Sequence, residues 1–312
     1  MRGASPAEQA PTGTADCPRP DEPAAEHRPA AVNPYAAERS GSVQLMRRDF
    51  DPNVPNVARI YNWLLGGKDN FAADRRAAAK LLDAVPHAAV AARENRAFLH
   101  RAVRFLADEA GIRQFLDIGA GLPTSSAVHE IIHGAVPLPV VVYADNDPVV
   151  IRHAETLTGG AAGVAAIQAD LRQPRELLNL AANHNLIDLA RPVAILLVAV
   201  LHFIEDSDDP FAIVNHYKDH MAPGSFLVIS HVTADHIPAG AAFHAREAYA
   251  DASAPGVPRT RTEVLKFFGG LDMVRPGLVN VSEWRPRDRR PTAGPALFYA
   301  GIGRKTTAGR PQ

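Results

Sequence analysis

The sequence contains a single cysteine, Cys17, among 312 residues. That excludes an intrachain disulfide framework and a cysteine-built metal site, and it fits a reducing cytoplasm. An excess of charge of either sign is missing too, since 33 Lys and Arg stand against 34 Asp and Glu for a formal net charge of −1. No electrostatic footprint therefore argues for DNA, RNA or an anionic membrane as the main partner. No stretch reaches the roughly 18 consecutive apolar residues of a membrane span. The first residues lack the apolar centre of a signal peptide. Large apolar side chains are almost missing from residues 1–42, which are rich in Ala, Pro, Glu, Arg and Gly. Such a segment buries too little surface to offset its ordering entropy, so it reads as a disordered tail.

What remains is 46% hydrophobic overall, ample for one sizeable core with an appended helical piece. From about 56 to 110 the pattern is helical. In AARENRAFLHRAVRFLADEAG, the residues Ala97, Phe98, Val103, Phe105 and Leu106 recur at helical spacing, and Gly111 is a natural stop. Within this region RIYNWLLGGKDNFAAD (59–74) begins as an amphipathic helix, halts at Gly66 and Gly67, and turns polar at Lys68, Asp69 and Asn70.

After Gly111 strands alternate with helices. QFLDIG (114–119), PVVVYAD (139–145), VAAIQAD (164–170), VAILLVAV (193–200) and SFLVISHV (225–232) read as strands. Helices are expected around 124–133, 148–157, 173–181 and 209–221. Short Val, Ile and Leu strands separated by helices indicate parallel βαβ units covered on both faces. LDMVRPGLVNVSEW and PALFYAGIGRK read as a last pair of strands, with RPRDRRPTAG joining them as a possible hairpin.

The first strand ends in LDIGAGLPT. An acid at the strand end followed by Gly119-Ala120-Gly121 is the arrangement of a nucleotide-type site in an open α/β sheet, where ligands bind beyond the carboxyl ends of the strands. The helix after it begins near Pro123, with Thr124 or Ser125 as cap. A nicotinamide dehydrogenase would use G-x-G-x-x-G, but the third glycine is missing here. The second strand ends in Asp145, 24 residues after Gly121, where an acid suits ribose hydroxyls. The third strand ends in Asp170-Leu171. Three acids at successive strand ends repel one another unless they face a ligand rich in donors or positive charge. An adenosine bearing a sulfonium and an amino group is such a ligand, and a polyphosphate is not.

In the order DIGAG, YADNDP, QADL and LLVAVLHFI, the chain resembles class I S-adenosylmethionine-dependent methyltransferases. More narrowly, YNWLLGGKDNFAAD, LDIGAGLPT, YADNDPVV, ILLVAVLHFI and VNVSEWRP resemble a bacterial S-adenosyl methyltransferase-like family, over roughly residues 46–303. The resemblance implies a Rossmann-like α/β fold with seven strands in the order 3-2-1-4-5-7-6, the last one antiparallel. With the composition and periodicity above, the expected division is a disordered tail (1–42), a helical lid region (43–110) and a cofactor-binding domain (111–305). The resemblance also implies that Asp117 and the Gly119–Gly121 loop lie near the methionine part of the cofactor. Asp145 then takes the ribose hydroxyls, and Asp170 with the Leu171 amide takes the adenine. Leu122-Pro123 departs from the broader class, which often has a third glycine there.

In this light residues 56–74 read as a lid that closes the crevice and excludes water. Tyr61 and Trp63 supply apolar cover, Gly66 and Gly67 let the chain turn, and Lys68, Asp69 and Asn70 point polar groups at the ligand. Tyr61, Asn62, Gly67, Asp69, Asn70, Asn146 and Val198 complete the expected cofactor set. The bland alternative is a helix packed on the core with a solvated turn.

Asp147 before Pro148 reads as a helix cap rather than a ligand. His202, after the fourth strand, is the best-placed candidate base, with a structural histidine as the competing reading. His231, ending the fifth strand, ranks below it. HEIIH (129–133) matches the zinc motif H-E-x-x-H, but its helix must pack on the sheet, so a metalloprotease ranks far below. Arg259 and Arg261, ahead of TEVLKFFGG, are candidates to bind an acidic substrate, with solvent exposure as the default reading. The expected activity is methyl transfer from S-adenosylmethionine, with S-adenosylhomocysteine as product, to an unidentified acceptor. A small molecule is favoured over a macromolecule. The alternative is a protein that senses the nucleoside without turning it over.

Overall fold

The computed structural model describes residues 51–307, apart from 124–126, 135–137, 184–185, 251, 287–296 and most positions between 234 and 246. The expected tail, the Thr124 and Ser125 caps and most of the RPRDRRPTAG connection lie outside the described residues. Arg47–Gln312 form one compact unit.

Three helices come first. α1 (Val57–Leu64) starts at Asn56, whose side-chain oxygen accepts from the backbone N–H groups of Ala58 and Arg59 at 2.8 and 3.3 Å. Two of the donors that a helix start leaves orphaned are thereby satisfied. α2 (Ala72–Ala84) and α3 (Ala88–Arg104) follow, and α3 runs into a wider turn over Phe105–Glu109.

The strands β1 (Gln114–Ile118), β2 (Val140–Asp145), β3 (Val164–Gln168), β4 (Ala194–Val198) and β5 (Phe226–Val232) then alternate with α4 (Val128–Ile132), α5 (Pro148–Thr158), α6 (Pro174–Asn183) and α7 (Pro210–His220). α8 (Arg261–Lys266) leads into β6 (Asp272–Met273), β7 (Val279–Asn280) and β8 (Phe298–Arg304). The first five strands are parallel in the order 3-2-1-4-5, and β8 lies antiparallel to β5. The expected sixth strand is split. β6 and β7 are separate two-residue pieces, both antiparallel to β8, with Pro276 and Gly277 between them. Proline has no N–H to give to a ladder, and glycine weakens a strand interior. The remaining order matches the expected class I methyltransferase sheet.

Successive strand residues point to opposite faces. On one face Leu116, Ile118, Ile195, Leu197 and Leu227 share a core with Leu177 of α6 and Val214 and Tyr217 of α7. On the other, Phe115, Val141, Leu196, Val228 and Ile302 pack with Phe98 and Val103 of α3 and Ile131 of α4. Trp284 is fully buried edge-on to Phe98, at 5.5 Å between ring centroids. Each such side chain contributes about 1.5–3 kcal/mol on burial. The helical region before 110 thus holds two kinds of helix. α3 is part of the sheet's own cover, whereas Ile60 and Leu64 of α1 and Ala77, Ala78 and Leu81 of α2 form a smaller cluster with the first turns of α3.

Candidate functional site

At the carboxyl end of β1 the chain turns through Gly119 and Gly121, both with left-handed φ (+70° and +65°). A Cβ on Gly119 would collide with the Val200 side chain, so no larger residue fits there. Asp145, ending β2, clamps this loop. Its two carboxylate oxygens accept from the Gly121 and Asp147 backbone N–H groups, each at 2.9 Å. Asp147 caps α5 as expected, accepting from the Val149 N–H at 2.8 Å, with Pro148 in the first turn.

These strand ends frame a crevice of about 360 Å³, within the ~300–1,000 Å³ of small-molecule sites. Asp117, Gly119, Ala120, Gly121, Asp145, Asn146, Asp170, Leu171 and Val198 line it, and Tyr61 reaches it from α1. Asp117 and Asp145 are buried. Burial pushes the Asp117 carboxyl up to about 7, with Arg96 opposing and Asp145 adding to the shift. Burial also pushes Asp145 up to about 6, against the hydrogen bonds it accepts from the Asp147, Gly121 and Asn146 backbone. Asp170 is already held by Arg172, whose Nε and Nη2 donate to its carboxylate at 3.0 and 2.5 Å.

α1 closes one side as a fastened wall. Asn56 Nδ2 donates to Asp147 Oδ2 at 2.7 Å, joining the caps of α1 and α5. The buried Asp74 of α2 accepts from Arg59 Nε (2.8 Å) and from the backbone N–H groups of Asn56 (2.9 Å) and Phe71 (2.7 Å). The polar tip after Gly66 lies elsewhere. Asn62, Gly67 and Asp69 line a separate depression beside Arg93 and His100. Asn70 Nδ2 donates to Asn62 Oδ1 and to the Gly67 carbonyl at 3.1 and 2.9 Å, and Asp69 sits 3.8 Å from His153 of α5. Gly67 leaves room for the Asn62 amide, which a Cβ there would strike. Asn62, Gly67, Asp69 and Asn70 therefore close the turn on itself and do not line the crevice, contrary to the expectation that they face the ligand. The reason is local: the polar groups freed by the glycine turn find partners in the turn and on α5.

His202 is buried in the turn Leu201–Phe203 after β4. It lines an adjoining apolar cavity of about 110 Å³ rather than the crevice itself. Its Nδ1 is buried without a hydrogen-bond partner. Burial, with the His231 and Arg259 charges adding, holds its pKa well below the usual histidine range. His231 is a structural residue. Its Nε2 lies 3.1 Å from an Arg259 Nη1 and its Nδ1 2.8 Å from the Val232 carbonyl. A guanidinium only donates, so Nε2 accepts and Nδ1 carries the proton. Burial pushes its pKa down to about 3.

Arg259 is buried rather than solvent-exposed. It donates to the carbonyls of Leu201 (3.1 Å) and Ile204 (3.0 Å) and to Asp206 (2.6 Å), tying the β4 turn to β5. Arg261 is exposed, with its guanidinium donating to the Leu278 carbonyl at 2.8 Å. In HEIIH, the Tyr143 hydroxyl accepts from the His129 backbone N–H at 3.0 Å and lies 2.8 Å from His129 Nδ1. His129 thus serves α4–β2 packing.

The model of the S-adenosyl methyltransferase family matches residues 44–306. The chain belongs to that family.

Two solved structures are similar over most of this methyltransferase. A candidate methyltransferase from Thermobifida fusca YX is 39% identical, with 82% of this chain and 96% of that chain covered and a TM-score of 0.77. A DUF574 family protein from Streptomyces avermitilis MA-4680 is 38% identical, with 82% and 99% covered and a TM-score of 0.76. No curated protein matches the chain. The family's cofactor is S-adenosylmethionine. The crevice residues fit such a ligand: two buried carboxylates, raised by desolvation, stand beside a glycine cradle, and a cationic ligand supplies the countercharge they call for. No helix among the described residues is long and apolar enough to cross a membrane.

Several site residues escaped the sequence reading. Asn95 of α3 lines the crevice, with its Oδ1 buried and unpartnered and its Nδ2 donating to the Tyr61 hydroxyl at 2.9 Å. Its signal was an amide on the apolar face of a helix. Arg96, Asn56, Ala58 and Phe203 also line the crevice. Ala199, at the end of β4, adopts a left-handed φ of +56°, the kind of outlier that clusters at functional sites.

Proposed function

We propose that the protein transfers the methyl group of S-adenosylmethionine to a small-molecule acceptor, with His202 taking the acceptor's proton. The observation that carries this reading is a pair of adjoining spaces: Val57, Tyr61 and Phe203 line both the acid-rimmed crevice and the apolar cavity that His202 lines. One space suits a charged, polar cofactor and the other a neutral acceptor.

In this reading Asp117 and Asn95 take the amino-acid end of the cofactor, Asp145 the ribose hydroxyls, and the Asp170–Leu171 turn the adenine. When bound, the cofactor supplies an activated methyl group on a sulfonium. The chain's own residues position the acceptor in line and hold a base ready. The α1 wall keeps water out, fixed by Asn56–Asp147 and Arg59–Asp74. Burial keeps His202 neutral, so one ring nitrogen keeps a lone pair for the acceptor's proton.

The test is calorimetry with S-adenosylmethionine, S-adenosylhomocysteine and NAD. Binding of both sulfur nucleosides and not of NAD is expected. NAD binding with neither sulfur nucleoside bound overturns the reading.

A further inference from the structure

We infer that the apolar cavity behind the crevice is the acceptor pocket, and that it takes a neutral, ring-sized group bearing one hydroxyl, a phenol. This rests on the methyl-transfer reading above and adds the class of substrate. Three observations carry it. First, no Asp, Glu, Lys or Arg lines the cavity among the described residues. An acceptor carrying a carboxylate or an ammonium would be desolvated there with no partner, which is costly. Second, the walls are the apolar side chains of Leu64, Leu81 and Ala92 from the N-terminal helices and Val232 and Phe298 from the sheet. The volume of about 110 Å³ is comparable with the ~150 Å³ apolar cavity that takes up benzene. Third, the polar groups on its wall are few. The Tyr61 hydroxyl lies 3.0 Å from the Ala92 carbonyl, to which it donates, and accepts from Asn95 at 2.9 Å, so its hydrogen bonding is used. His202 Nδ1 is buried without a partner, and a buried polar atom of that kind calls for one. A hydroxyl supplies it in either imidazole tautomer, as donor or as acceptor, and a hydrocarbon supplies it in neither.

The chemistry balances without a further reagent. The acceptor oxygen forms a bond to the methyl carbon, and the broken carbon–sulfur bond leaves its electron pair on sulfur, neutralising the sulfonium. The hydroxyl proton passes to His202 and then to solvent. Arg259 is a positioning residue here, since it fixes the carbonyls of Leu201 and Ile204 on either side of His202.

The experiment uses the full chain saturated with S-adenosylhomocysteine, titrated with phenol, benzoate and benzylamine. Phenol is expected to bind at least about tenfold more tightly than the two charged probes. Ala88→Leu, which fills the cavity from α3, is expected to abolish phenol binding while leaving S-adenosylhomocysteine binding intact. With S-adenosylmethionine, mass spectrometry should detect anisole. His202→Gln keeps a hydrogen-bond acceptor but no base, so phenol should still bind while methylation falls by about 10²–10⁴-fold. The proposal is overturned if either charged probe binds as well as phenol. It is also overturned if Ala88→Leu leaves phenol binding unchanged, or if His202→Gln methylates phenol at the parent rate. Failure of S-adenosylhomocysteine itself to bind would instead strike at the methyl-transfer reading.

Discussion

Replacing Asp74 with alanine removes the carboxylate on which the α1 wall is hung. Asp74 is fully buried, and its two oxygens serve three donors: Arg59 Nε at 2.8 Å and the backbone N–H groups of Asn56 and Phe71. The Arg59 side chain is only 4% exposed, and its next carboxylate, Asp147, stands 4.0 Å away. The substitution takes from the buried Arg59 its nearest carboxylate, leaving it the Val54 carbonyl at 2.6 Å, and strands two backbone donors. Breaking one partner of a buried ion pair costs about 3–5 kcal/mol. For a domain of this size each kcal/mol lowers Tm by roughly 2–4 °C, so the expected drop is about 6–20 °C. The wall also carries Asn56, Ala58 and Tyr61 into the crevice, so cofactor affinity should fall with it. Differential scanning calorimetry measures the first effect, and hydrogen exchange over residues 54–74 measures whether the wall has detached. If the wall undocks locally, the Tm change shrinks and exchange of 54–74 rises sharply instead. A Tm within about 2 °C of the parent, together with unchanged exchange in 54–74, would refute the reasoning, because the buried pair would then be holding nothing.

Asp145→Ala should weaken S-adenosylmethionine binding by about 1–3 kcal/mol by calorimetry, since it removes the ribose acceptor and frees the Gly121 loop. Equal affinity in a folded variant would reduce Asp145 to a turn residue. Asn70→Ala should leave cofactor affinity within about twofold of the parent, because its amide is spent on Asn62 and Gly67. A tenfold loss would place the turn tip at the ligand after all. Asp117, raised to about 7 by burial, binds its proton more tightly folded than unfolded. Its contribution to stability is therefore favourable at low pH and lost as pH rises from about 4 to 7. In the ligand-free protein Asp117→Asn should flatten the fall in Tm over that window, and a parallel pH profile would contradict the assignment. Cofactor affinity should rise as pH approaches about 7 and the Asp117 carboxylate ionises, and Asp117→Asn should reduce this rise to the part that Asp145, raised to about 6, contributes.

Much of the fold is written locally. The Val, Ile and Leu runs at 114–118, 140–145, 194–198 and 226–232 are buried on both faces, and only strands inside a parallel sheet need such uniform composition. The helix start at Asp147-Pro148 is equally local, because a cap and its N–H partners lie within two residues. The acid-and-glycine turn at 117–121 was legible because the left-handed backbone there favours glycine at two positions.

What the sequence could not reveal depends on contacts between distant residues. RIYNWLLGGKDNFAAD shows an amphipathic helix and a polar turn, but nothing local says which end faces the crevice. Asp74 and Asp147, the latter 91 residues from Asn56, turn the start of α1 toward it, and the polar tip satisfies itself elsewhere. Arg259 looked like a surface charge until the fold placed it against carbonyls more than fifty residues away. The neutrality of His202 and the raised carboxyls of Asp117 and Asp145 follow from desolvation. Desolvation is set by what the whole chain packs around a group, and the sequence beside that group does not record it.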